Sequence, residues 1–64
     1  MKPSIELVGG YRGPDGNIFA IMSKAAKALN GDISSIMIRR VLDSKSYEEA
    51  VDIVKEYCEI KEVT

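Results

Sequence analysis

The chain has no histidine, no tryptophan and a single cysteine among its 64 residues. Each shortage removes a class of explanation. One cysteine cannot form an intrachain disulfide, and without histidine Cys58 has no companion for a zinc site or an activated thiolate. Long apolar runs are missing too. Nothing approaches the roughly 18 apolar residues of a bilayer span, and the lead into Ile5 has no apolar core of signal-peptide length. The net charge of −1 gives no general attraction to nucleic acid or anionic lipid. A lone free thiol suits a reducing compartment. These absences predict a soluble, cytoplasmic protein with no metal, no cofactor and no evident small-molecule ligand.

A chain of this length forms one domain, residues 1–64, and buries only about 60% of the surface that its unfolded form exposes. Such a core rarely supplies more than about 3–5 kcal/mol. With staples excluded, self-association is the remedy to look for. Charge is divided unevenly along the chain. Residues 1–31 carry four basic and two acidic side chains, a net +2, whereas residues 32–64 carry five basic and eight acidic ones, a net −3.

Ile5 and Leu7 alternate with Glu6 and Val8, the period of a short strand with a buried face. The run from Gly9 to Pro14 is dense in breakers and reads as a flexible turn. Asp15 is placed as the N-cap of a first helix, whose stripe is Ile18, Met22, Ala25 and Leu29, widened by Phe19 and Ala26. Asn30 and Gly31 end it. Asp32 caps a second helix, roughly residues 33–43. Ser46 opens a third with the capping box Ser46-Tyr47-Glu48-Glu49. The buried line of that helix is Tyr47, Ala50, Val51, Val54 and Tyr57. Alternation returns at Cys58 and Ile60, which predicts a closing strand. The expected fold is α+β, two short terminal strands paired and three helices between them on one face, in the order β-α-α-α-β. The direction of strand pairing stays open.

The segment Asp15-Gly16-Asn17-x-Phe19-Ala20-Ile21, with Ala28-Leu29 closing its helix, resembles a small family of uncharacterised proteins encoded by bacterial conjugative elements and phages. The strand Ile5–Gly9 and the finish Tyr57-Cys58-Glu59-Ile60 extend the likeness over nearly the whole chain. The resemblance implies an accessory protein of a mobile genetic element and carries no activity with it.

Several constellations are candidates for function. Glycine amides from Gly9 to Gly16, with Arg12, suggest an anion cradle, but Pro14 lacks an N–H and Asp15 puts negative charge where an anion must sit. Asn17 has the chemistry either to meet a partner or to bond nearby backbone, and the second role is favoured. The second and third helices suggest a helix-turn-helix, yet the third presents Glu48, Asp52 and Glu56, which DNA repels. That acidic stripe reads as a solvated face. Lys24, Lys27, Arg39 and Arg40 form the alternative reading, a weak nucleic-acid-binding patch. Nothing supports catalysis, so no enzyme is expected.

The second helix is the leading candidate. Ile33, Ile36, Met37 and Val41 cover one side, and Ile38 and Leu42 extend the apolar arc to roughly 240°. A domain this small struggles to enclose so wide an arc, and exposed apolar surface marks interfaces. The expectation is a non-enzymatic interaction module that binds a protein partner, most simply as a homodimer, through Ile38, Arg39 and Leu42. Open strand edges offer a second route to association.

Overall fold

The two strands expected near the ends of the chain pair with each other, and they run parallel. The computed structural model describes residues 2–63. Strand β1 (Ser4–Val8) lies beside β2 (Glu59–Val63), with Ile5 opposite Ile60 and Leu7 opposite Glu62. The ladder is extended at each end, where Glu59 N donates to Pro3 O at 2.8 Å and Gly9 N donates to Val63 O at 2.6 Å. Between the strands come two 3-10 turns, Gly10–Arg12 and Pro14–Gly16, and then helices α1 (Ile18–Ala28), α2 (Gly31–Leu42) and α3 (Tyr47–Tyr57). The architecture is the α+β order β-α-α-α-β.

Alternation decides which side of the sheet is covered. Ile5 and Leu7 are buried beneath the helices, whereas Ser4, Glu6 and Val8 face outward, as do Glu59, Lys61 and Val63 on β2. Parallel strands normally have both faces covered, so this ribbon is unusually open on its outer side. The core joins Ile5 and Leu7 to Ile21 and Ala25 of α1, Met37 and Val41 of α2, and Ala50, Val51, Ile53 and Val54 of α3. Cys58, 1% exposed, closes it at the end of α3.

Helix starts follow side-chain chemistry, with one correction. Ser46 Oγ accepts from Glu49 N at 3.0 Å, as the capping box requires. Helix α1, however, is capped by Asn17 rather than Asp15: Asn17 Oδ1 accepts from Ala20 N at 2.9 Å. Asp15 instead turns to β1, where its Oδ2 accepts from Val8 N at 2.8 Å. Both residues are good caps, and the strand edge claims the nearer one. The centre of the α1 stripe lies on Ile21 and Ala25, while Phe19 stands outside it, 67% exposed. Gly31 does take a left-handed φ of +55°, but as the opening residue of α2, preceded by Asn30 as the N-cap. Helix α2 therefore begins before Asp32, which lies in its first turn. In α3 the buried line runs through Ile53, and Tyr47 at its start is exposed.

The glycine-rich segment is not a loose turn. Gly9 holds φ +82°, a conformation that favours glycine. Tyr11 N donates to Glu62 Oε1 at 3.2 Å, and the hydroxyl of Tyr47 donates to the carbonyl of Gly16. Burial keeps that hydroxyl above its ordinary pKa, aided by the neighbouring Tyr11 and Glu62, so it stays a donor. Gly16 lies so close to Tyr11 that a Cβ there would strike the Tyr11 carbonyl.

Candidate interaction surface on helix α2

Helix α2 is oriented by two polar tethers. Ser34 Oγ donates to Ala26 O of α1 at 3.1 Å. On the α3 side, Arg40 makes a two-pronged bond to Glu56, Nη1 to Oε1 at 2.7 Å and Nη2 to Oε2 at 3.0 Å. Arg40 Nη1 also donates to the Tyr57 hydroxyl at 3.0 Å, and its guanidinium lies 5.7 Å from the centre of that ring. These bonds hold the Glu56 carboxyl below its ordinary pKa and raise that of Arg40.

Held in this way, α2 directs Ser34, Met37, Ile38 and Val41 inward, positions at i, i+3, i+4 and i+7. Met37 and Val41 are buried, and Ile38 is half-buried against the core. The side formed by Ile33, Ile36, Met37 and Val41 is thus divided between core and surface. Ile33 and Ile36 are 52% and 54% exposed, and Leu42 is 62% exposed. The polar Ser34, inward through its bond to α1, is what the apolar count could not register.

The three residues singled out from sequence meet in one place. Ile38, Arg39 and Leu42, with Ser35 and Asp43, line a shallow depression of about 350 Å³. Around the other side of Arg39, Ile36 joins Asp32, Ser35, Arg40 and Asp43 in a second depression. Leu42 also reaches a third hollow, a cleft of about 360 Å³ between the start of α1, the end of α2 and the start of α3. Phe19 and Tyr47 line that cleft as well. Sequence reasoning missed Phe19 because it follows Ile18 directly and widens the same stripe.

The four cations of the nucleic-acid reading do not come together. Lys24 lies 3.5 Å from Asp15, and with Lys27 it lines a depression beside β1. Arg39 and Arg40 belong to α2, where Arg40 is held by Glu56. On α3, Glu48, Asp52 and Glu56 are all exposed, and Glu56 is engaged by Arg40. The Cys58 thiol is raised above its ordinary pKa by burial, against the opposing charge of Lys2, which leaves it a poor nucleophile. Among the described residues, no group of three His, Cys, Asp or Glu side chains could hold a metal ion, and no helix is long and apolar enough to cross a membrane. No family model, curated protein or solved structure matches the chain.

Proposed function

We propose that this chain is a non-enzymatic protein-interaction module that self-associates through the outer side of α2. The observation that carries the reading is the exposure of Ile36 and Leu42 on the two flanks of Arg39. At 100° per residue each lies 60° from Arg39, one below it and one above. A two-fold axis through Arg39 sets Leu42 of one copy against Ile36 of the other, twice, which is the self-complementarity of an isologous dimer. That axis also brings the two Arg39 side chains together, and Asp43, which shares their depression, is the carboxylate offered to the partner's guanidinium. Burying these side chains adds apolar area that a domain of this size lacks on its own.

On the resemblance at Asp15–Ile21, we further assign the module to the accessory proteins of mobile genetic elements. A reducing, cytoplasmic setting fits its free thiol. The nucleic-acid alternative has less support, since Lys24 and Arg40 each have an acidic partner within the chain.

Light scattering across a concentration series tests the reading. The expected result is a dimer that Leu42→Glu and Ile36→Glu each convert to monomer, with Phe19→Glu leaving it intact. A strict monomer at high micromolar concentration overturns it.

A further inference from the structure

The open edge of β1 is a second surface, separate from α2. Residues along a strand alternate in the direction of their backbone groups. The bonds Glu59 N to Pro3 O and Gly9 N to Val63 O show that Pro3, Ile5, Leu7 and Gly9 address β2. Ser4, Glu6 and Val8 therefore turn their N–H and C=O groups away from it. Asp15 takes the Val8 N–H, which closes this edge at its far end. Ser4 and Glu6 are left unblocked. Alongside them runs a groove of about 540 Å³ between β1 and the last turns of α1. Ile5 and Ala28 give it an apolar floor. Lys24, Lys27 and Lys61 line it against one acidic side chain, Glu6.

We propose that this groove takes an extended acidic peptide segment of another protein as an added strand. Main-chain bonds to Ser4 and Glu6 supply the pairing, and the three ammonium groups select carboxylates on the incoming side chains. Glu6 offsets one of these charges, since Lys61 stands opposite it across the ladder. Lys24 is shared with Asp15 at 3.5 Å, which leaves a net positive groove with Lys27 as its principal selector. The proposal does not depend on self-association through α2.

The test is an NMR titration of the full chain with a short peptide alternating valine and glutamate, and with its valine–lysine counterpart. The glutamate peptide is expected to shift the Glu6 amide and slow its hydrogen exchange, while the lysine peptide does neither. Lys27→Glu should weaken binding about fivefold, from one attraction lost and one repulsion gained. Glu6→Pro removes an N–H that serves no internal bond, and should abolish binding with the β1–β2 ladder intact. Leu42→Glu should leave the titration unchanged even where it dissolves a dimer. Equal response to both peptides, or shifts centred on Arg39 and Leu42, would overturn the proposal. So would concentration-dependent growth in light scattering that Glu6→Pro abolishes, since a second copy adding β2 to this edge polymerises without closing.

Discussion

The segment from Gly9 to Asn17 and the outer side of α2 invert what their compositions suggest. The first is glycine, proline and polar residues, the usual material of a mobile turn, and it is fastened from three directions. Asp15 holds it to β1, Glu62 to β2 and Tyr47 to α3. The second is rich in isoleucine and leucine, the usual material of a core, and it leaves Ile33, Ile36 and Leu42 in water. Rigidity here follows from where backbone groups find partners, and exposure from which way two tethers turn a helix. Hydropathy alone reports neither.

The sharpest way to break this contrast is Gly16→Ala. The added methyl would collide with the backbone of Tyr11, its carbonyl and Cα, so a loss of about 2–3 kcal/mol is expected in denaturant unfolding. A change under about 0.5 kcal/mol would mean that the segment yields easily. Asp15→Ala comes next, with an expected loss of about 1–2 kcal/mol and faster exchange of the Val8 amide, which loses a charge-assisted bond. On α2, Leu42→Gln should change stability by less than about 0.5 kcal/mol when measured under monomeric conditions, because the side chain already faces solvent. The smallest effect concerns pH. The Glu56 carboxyl is depressed in the folded state, chiefly by its bond to Arg40, so its stabilisation is present above the ordinary glutamate pKa and fades as pH falls through the lower folded value. Thermal melts of Glu56→Gln against the parent chain should converge in acid and separate towards neutrality.

Much of the architecture could be read from residue order. The alternation around Ile5 and Leu7, the box at Ser46 and the return of alternation at Ile60 located the strands and the third helix, because each is a local preference acting within a few residues. The direction of pairing could not be read, since it depends on how three helices carry the chain back across the sheet. The exchange between Asp15 and Asn17 was equally hidden. Two capping residues stood two positions apart, and only the approach of β1 decided between them. At the candidate interface, the width of the apolar arc pointed to Leu42 and Ile38 beside the polar Arg39. Of the two apolar residues, Leu42 is exposed while Ile38 is half-buried against the core. Ile36 was not identifiable, because its outward turn is set by Ser34 and Arg40, polar residues whose bonds reach α1 and α3.

Pairing residues 4–8 with residues 59–63 also sets a timetable for biosynthesis. The first strand leaves the ribosome about fifty residues ahead of the strand it pairs with. Until then Ile5 and Leu7 have no ladder partner, because a pairing so distant in sequence waits for its later segment. Newly made chains thus pass through a stage in which a greasy strand waits unshielded, and a stall in translation near Tyr57 would prolong it.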